Sequence, residues 1–128
     1  MIGEDPIVRS GIDFLHAYVA AHNDCVRNGD WEPLGDWFAE DAALTFEGVP
    51  VGPFTGREEI AAAYREHPPD DQVLIFDTEE EDGGRIVAGY GWLRKPAKKA
   101  GTMLLTPRDG KIAKLVVTFE ASDSAATA

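Results

Sequence analysis

One segment near the middle of the chain constrains the fold more than any other. It comprises residues 38–60 and reads FAEDAALTFEGVPVGPFTGREEI. Its first part is typical of a helix end followed by a short strand over residues 43–47, because apolar and polar residues alternate there. The glycines and prolines that follow interrupt strand pairing and predict a bend, then a short edge segment. Thr55 is expected to cap a new helix over residues 57–66.

The segments on either side complete an α+β domain. Apolar residues recur every three or four positions over residues 6–28 and predict an amphipathic helix, after which Asp30 is expected to cap a second, short helix. Downstream, alternation predicts four strands, over residues 72–78, 85–93, 102–106 and 111–120. The predicted connections are an acidic hairpin loop (residues 79–84), a basic turn (94–99) and a turn at 107–110. Helices first and strands afterwards predict an α+β domain in which three N-terminal helices cover one face of an antiparallel sheet; the curvature that wraps this sheet around the helices is implied by the resemblance described below.

Composition restricts the partners of this domain. The 128 residues include 12 Lys and Arg against 23 Asp and Glu, a formal net charge of −11, which argues against nucleic acid and anionic membranes as partners. The single cysteine, Cys25, forms no intramolecular disulfide and no thiolate cluster. Without a signal-like N-terminus or an apolar run of about 18 residues, a soluble, cytoplasmic protein is expected. We predict one domain over residues 1–120 and a flexible tail over residues 121–128.

Three short motifs resemble the nuclear transport factor 2-like superfamily, especially its SnoaL-like and ketosteroid-isomerase-like branches. They are Gly29-Asp30, then AEDA at residues 39–42, which is taken as a helix end, and FTGREEI at residues 54–60, which is taken as a helix start. The resemblance spans residues 8–120 and implies a cone-shaped fold around a small-molecule pocket. It also implies a homodimer, because relatives often pair through the outer face of the sheet. The fold hosts both enzymes and non-catalytic modules, so both remain alternatives.

The resemblance to ketosteroid isomerase implies a carboxylate base on the first strand. Counting back from Gly56 places Glu47 at the base position, whereas counting from the end of the preceding helix places Phe46 there. A slip of one residue reverses which side chain points inward, so the two counts give opposite answers. Glu47 is the candidate base, and the alternative is an exposed strand residue beside an inward Phe46.

The resemblance also implies an oxyanion-stabilising phenol on the first helix and a protonated carboxyl on a later strand. Tyr18 matches the phenol by local motif and His22 by the count back from Gly29; the two lie one turn apart on one face. The alternatives are a core tyrosine and a buried histidine bonded to a carbonyl or carboxylate. The third position falls near Thr102, where no carboxyl is present, which weakens the case for steroid isomerisation.

Apolar and aromatic side chains are predicted to line a pocket for a small apolar molecule. The candidates are Phe46, Tyr64, Phe76, Tyr90, Trp92 and Met103. Ordinary core or dimer packing is the alternative for each. No metal-ligand spacing and no phosphate loop is present, so neither metal nor cofactor is predicted. The sequence thus predicts proton transfer next to a carbonyl, as in steroid delta-isomerases and SnoaL-like polyketide cyclases, or non-catalytic binding on the same fold.

Overall fold

The computed structural model describes residues 11–48 and 51–119. The helices within these residues are α1 (Gly11–Asn28), a 3₁₀ helix (Glu32–Trp37) and α2 (Arg57–Glu66). The strands are β1 (Phe38–Glu47), β2 (Phe54–Thr55), β3 (Val73–Glu80), β4 (Ile86–Trp92), β5 (Lys95–Arg108) and β6 (Lys111–Phe119). The beginning of the predicted first helix and the predicted tail lie outside the described residues.

The six strands form one curved sheet in the order β2-β1-β6-β5-β4-β3. Neighbouring strands are antiparallel, as predicted, except β1 and β6, which run parallel. The last strand thus returns to pair with the first long one, which joins the two halves of the chain. The α+β class, with helices preceding a curved sheet, is confirmed.

The helices cover one face of this sheet. On β4 the alternate residues Ile86, Ala88 and Tyr90 are fully buried, whereas Gly89 and Gly91 face the other way. We call the face that carries the side chains of Ile86, Ala88 and Tyr90 the concave face, and the opposite face the outer face. The concave face and the helices enclose the core.

The first long strand begins earlier than predicted. Residues 39–42, expected to end a helix, are part of β1. The preceding 3₁₀ helix ends at Trp37, and Phe38 already pairs with Ile112 of β6. Pairing with a strand distant in sequence thus overrides the local helical preference of this segment.

Helix α2 has the predicted bounds but not the predicted cap. Its N-terminal residue before the first turn is Gly56, at φ 95°, and Thr55 makes no capping hydrogen bond with its side chain. Instead, the Thr55 backbone N–H donates to Glu59 Oε1 at 2.6 Å. The Glu59 carboxylate in the first turn therefore accepts a hydrogen bond from the backbone just before the helix, as the glutamate does in one half of a capping box.

The predicted basic turn is also wrong. Lys95 to Lys99 extend β5, with Lys95 opposite Trp92 and Lys99 opposite Gly91, and the register is irregular between these pairs. The connection is therefore confined to Leu93 and Arg94. Long lysine side chains suit an exposed strand end, since their charge stays in water.

Candidate functional site

A cavity of about 290 Å³ lies between the helices and the concave face. Its lining residues on the helices and the segment after α2 are Tyr18, His22, Ala63, Tyr64, His67 and Pro69. Those on the sheet and its connections are Leu44, Phe46, Val51, Phe54, Val73, Tyr90, Trp92, Met103, Leu115, Val117 and Phe119. No carboxylate is among these lining residues. The volume is close to the lower end of the range of roughly 300–1,000 Å³ that is typical of small-molecule sites.

Two phenols meet in the buried part of the cavity wall. The hydroxyls of Tyr18 and Tyr64 lie 3.2 Å apart, and both side chains are buried. Burial raises the pKa of both phenols, and that of Tyr18 is well above its ordinary value. Both therefore stay neutral near pH 7. Whichever hydroxyl donates within the pair, the proton of the other is left for a further hydrogen bond.

His22 is the third polar group of the cavity and is only 5% exposed. Its Nδ1 lies 3.1 Å from Asn23 Oδ1. Burial lowers the pKa of His22, and the hydrogen bond to Asn23 opposes that shift in part. The imidazole is therefore neutral near pH 7 and can accept a proton.

Aromatic packing fixes the orientation of these polar rings. Trp31 stacks on Tyr64 with ring centroids 5.3 Å apart, and meets His22 edge-on at 5.4 Å. Tyr18 meets Phe38 edge-on at 5.9 Å. These contacts arise because α1, the residue just before the 3₁₀ helix, and α2 each present an aromatic side chain toward the same point. The rings thus need little reorganisation to bind a ligand.

Tyr90 contributes a third phenol to the cavity wall, but its hydroxyl is hydrogen-bonded to the backbone of the sheet. Its hydroxyl donates to the Thr118 carbonyl at 3.1 Å, and the ring packs edge-on against Trp92. Gly101 lies beside this bond, where an added Cβ would come within 1.8 Å of the same carbonyl oxygen. The hydroxyl of Tyr90 therefore serves to hold β4 against β6.

The exposed rim of the cavity carries mostly apolar side chains, together with His67. Phe46 packs against Phe54 and Phe119, with ring centroids 6.4 Å and 6.3 Å away. All three rings are partly exposed, and the neighbouring Val51 is 44% exposed. The polar groups thus lie inside the cavity and the phenylalanines at its rim.

The structure brings together seven of the nine predicted site residues. Those that line the cavity are Tyr18, His22, Phe46, Tyr64, Tyr90, Trp92 and Met103. Of the two alternatives on β1, Phe46 faces the cavity, whereas Glu47 is exposed and is not part of the wall. The prediction of Glu47 as an inward base is therefore wrong. The pairing of Phe46 with Val117, another cavity residue, sets this orientation.

The prediction that Phe76 lines the pocket is also wrong. A register irregularity between Ile75 and Asp77 places Phe76 on the outer face, 40% exposed. There its ring occupies the space beside Gly91, within 2.7 Å of where a Cβ would be. Phe76 therefore does not line the cavity.

Sequence reasoning missed Trp31 and Asn23. For Trp31, no local pattern in the sequence indicates the stacking contact with Tyr64. Asn23 lies beside His22 in the interior of α1, where asparagine has a low helix propensity. That low propensity is the one local signal that could have pointed to a special role.

Two negative findings concern the described residues as a whole. No helix within residues 11–48 and 51–119 combines the length and apolar character needed to cross a membrane. In the same part of the chain, no three His, Cys, Asp or Glu side chains lie close enough to share a metal ion.

The helices, the curved open sheet and the cavity between them define a protein of the nuclear transport factor 2-like class. Residues 19–115 match the model of the SnoaL-like domain. The chain belongs to the SnoaL-like domain family, as its motifs predicted. A comparison with curated protein sequences finds no match.

Solved structures with low sequence identity share the fold. A protein of unknown function from Cytophaga hutchinsonii, described as NTF2-like, is 15% identical, with a TM-score of 0.67 over 92% of this chain and 97% of that one. A protein provisionally described as an isomerase, from Bacillus subtilis, is 11% identical, with a TM-score of 0.65 over 88% and 90%. A protein with a ketosteroid isomerase-like fold from Catenulispora acidiphila, in complex with trimethylamine, is 19% identical, with a TM-score of 0.58 over 82% and 86%.

Proposed function

We propose that this chain binds a small, mostly apolar carbonyl compound and transfers a proton next to the carbonyl group. The observation that carries the proposal is the cavity of about 290 Å³, whose apolar wall contains one cluster of buried polar groups, Tyr18, Tyr64 and His22. Such a wall favours an apolar body with few polar atoms on the ligand.

The paired phenols suit a carbonyl oxygen. The uncommitted hydroxyl proton of the Tyr18–Tyr64 pair can donate to that oxygen. Against the apolar wall of the cavity, this hydrogen bond would strengthen as negative charge develops on the oxygen. The raised pKa of both phenols supports a role as donors, since neither is ionised near neutral pH.

His22 replaces Glu47 as the candidate base. Its neutral imidazole would take a proton from the carbon next to the carbonyl, and the electron pair of the broken C–H bond would move to the carbonyl oxygen as an enolate. The imidazolium would then return the proton to the same carbon or to another carbon of the conjugated system. Isomerisation of an enone is the overall result in the second case.

A binding protein without catalysis is the rival function. The observation in its favour is the lack of a carboxylate among the described residues that line the cavity. Both functions require the phenol pair to bind the carbonyl, so a binding experiment tests what they share, and a proton-exchange experiment separates them.

The binding test compares two ligands of matched shape, α-tetralone and its hydrocarbon analogue tetralin. We expect Tyr18→Phe and Tyr64→Phe each to weaken α-tetralone binding by about 5- to 10-fold, the effect of one lost neutral hydrogen bond. Tetralin binding, measured by the same NMR titration, should stay unchanged in both variants. Equal losses for both ligands would show that the phenols shape the cavity without recognising oxygen.

The catalytic test follows exchange of the hydrogens next to the α-tetralone carbonyl in D₂O by proton NMR. We expect the wild-type protein to accelerate exchange and His22→Gln to lose about 100-fold or more of that acceleration. Glu47→Gln is the matched control, because Glu47 is exposed and outside the cavity. Binding without any acceleration by the wild type would leave the non-catalytic function.

We propose further that two copies of this chain pair through the outer face of the sheet. Val87, Leu104 and Val116 lie side by side there on β4, β5 and β6. Phe76, 40% exposed, adds an apolar ring to the same face beside Gly91, and Asp77 lies beside Gly89 between this ring and Val87. Burial of such a surface against a second copy would remove apolar area from water.

A further inference from the structure

The side-chain amide of Asn23 is held in one orientation by the backbone of β3. Its Nδ2 donates to the Val73 carbonyl at 2.9 Å, and its Oδ1 accepts from the Val73 N–H at 2.8 Å. A backbone N–H can only donate and a carbonyl can only accept. These two bonds therefore determine which atom of the amide is the oxygen, without reference to His22.

The fixed oxygen determines the tautomer of His22. Its Nδ1 lies 3.1 Å from the same Asn23 Oδ1. An amide oxygen carries no hydrogen, so Nδ1 must donate and must hold the ring proton. In the neutral imidazole, Nε2 is then left with a lone pair.

The lone pair of Nε2 is available at the cavity. Within the described residues, every fully buried side-chain nitrogen and oxygen has a hydrogen-bond partner. No group within residues 11–48 and 51–119 bonds to Nε2, so this atom is not fully buried among them, although His22 as a whole is only 5% exposed. The open space beside the ring is the cavity that His22 lines.

We propose that Asn23 is a positioning residue that holds His22 in the Nδ1–H form and so keeps Nε2 ready to accept a proton from the ligand. The link to a ligand proton rests on the proposed function, whereas the tautomer does not. Asn23 itself touches no ligand in this arrangement and acts through His22.

An amide suits this task better than a carboxylate would. A carboxylate at the same place would orient the ring but would also stabilise the charged imidazolium, which is a poorer base. An amide orients the ring without adding charge. Among the other polar groups of the cavity, Tyr18 and Tyr64 are neutral phenols and His67 is exposed. No Asp, Glu, Lys or Arg is among the described residues that line the cavity, so none faces His22 there.

The test is a long-range proton–nitrogen NMR spectrum of the full-length protein labelled with ¹⁵N, recorded at a pH where His22 is neutral. His22→Gln assigns the signals, because it removes one of three histidines. We expect the wild type to show protonated Nδ1 and bare Nε2. Asn23→Leu should convert most of the population to the Nε2–H form, and Asn23→Asp, which keeps an acceptor oxygen, should restore Nδ1–H.

Asn28→Leu is the matched control. Asn28 lies on the same helix, is exposed, and accepts from the Asp30 N–H instead of from His22. The tautomer should stay unchanged in this variant. A purely structural role of Asn23, as a tie between α1 and β3, would lower stability in Asn23→Leu but would not predict rescue of the tautomer by Asp.

A wild-type protein with protonated Nε2 would overturn the inference, even if Asn23→Leu does not fold. So would a folded Asn23→Leu that keeps the Nδ1–H form. The proposed function fails separately. Wild-type protein with Nδ1–H but without acceleration of α-tetralone exchange would refute proton transfer and leave the positioning role intact. Accelerated exchange by a wild-type protein with the Nε2–H form would refute the positioning role of Asn23 and leave proton transfer intact.

Discussion

At the scale of single residues, the buried cluster of Tyr18, Tyr64 and His22 is uncharged near neutral pH. Burial raises the pKa of the Tyr18 and Tyr64 phenols and lowers that of the His22 imidazole. The cavity therefore offers a donor and an acceptor without a net charge. Such a pair fits a neutral ligand whose charge develops only during reaction.

The lowered pKa of His22 predicts a dependence of stability on pH. The unfolded chain, with an ordinary histidine pKa near 6.5, takes up a proton more readily than the folded protein does. We therefore expect the free energy of unfolding to fall as pH decreases below about 6.5, until the pKa of the folded protein is passed. Urea denaturation at a series of pH values measures this change.

His22→Gln is the control for that series, because glutamine does not titrate. The part of the pH dependence between about pH 6.5 and the lowered pKa should disappear in the variant. Identical pH profiles for the two proteins would show that burial does not shift the pKa of His22.

The residues of the site could be predicted from sequence only where the helical or strand repeat determines which way their side chains point. Tyr18 and His22 share a helical face, and that spacing was sufficient to place both at the cavity. The choice between Phe46 and Glu47 depends on register with β6, which no count along the chain determines. The role of Asn23 depends on Val73, 50 residues away.

At the scale of elements, close contact among β4, β5 and β6 depends on a missing side chain at Gly101. The Thr118 carbonyl accepts the Tyr90 hydroxyl beside this glycine. A Cβ on residue 101 would lie 1.8 Å from that carbonyl oxygen and 3.0 Å from the Tyr90 ring. The backbone would have to move, because the oxygen belongs to a paired strand.

Gly101→Ala should therefore lower the free energy of unfolding by about 2–3 kcal/mol, the usual cost of overpacking a rigid site. Gly35→Ala is the control, since its Cβ would only meet the Ala61 methyl at 3.3 Å. Chemical denaturation of both variants gives the comparison. Equal and small losses would mean that the strands can separate slightly without breaking the Tyr90 bond.

The boundaries of helices and strands were predictable where glycines or prolines nearby in the sequence end or begin the element. The bounds of α2 follow from Gly56 before it and the prolines after it, and the turn between β3 and β4 follows from Gly83 and Gly84, both at positive φ. The beginning of β1 was not predictable, because its first residue is stabilised by pairing with Ile112. Local preference alone favoured a helix there.

At the scale of the whole molecule, the outer face of the sheet predicts self-association. Phe76→Asp would place a charge on the outer face beside Gly91, so we expect this variant to be monomeric at concentrations where the wild type pairs through that face. Sedimentation equilibrium measures the two masses. Val51→Asp, which changes an equally exposed apolar residue at the mouth of the cavity, should leave the mass of the dimer unchanged. A monomeric wild type would refute the pairing.

The overall architecture was predictable because the order of elements leaves few arrangements. Three helices followed by strands must cover one sheet face. The parallel contact between β1 and β6 was not foreseen, because nothing in either strand specifies a partner so distant in sequence. The family motifs, by contrast, were sufficient to identify the SnoaL-like domain.

The separation of the buried phenols from the phenylalanine rim gives the cavity a direction. Under the proposed function, a ligand would pass the partly exposed rings of Phe46, Phe54 and Phe119 with its oxygen leading, and would then reach Tyr18 and Tyr64. The opposite end of that ligand would lie next to these three rings. We therefore expect substituents to be tolerated at the end of the ligand far from its carbonyl oxygen and to weaken binding next to that oxygen.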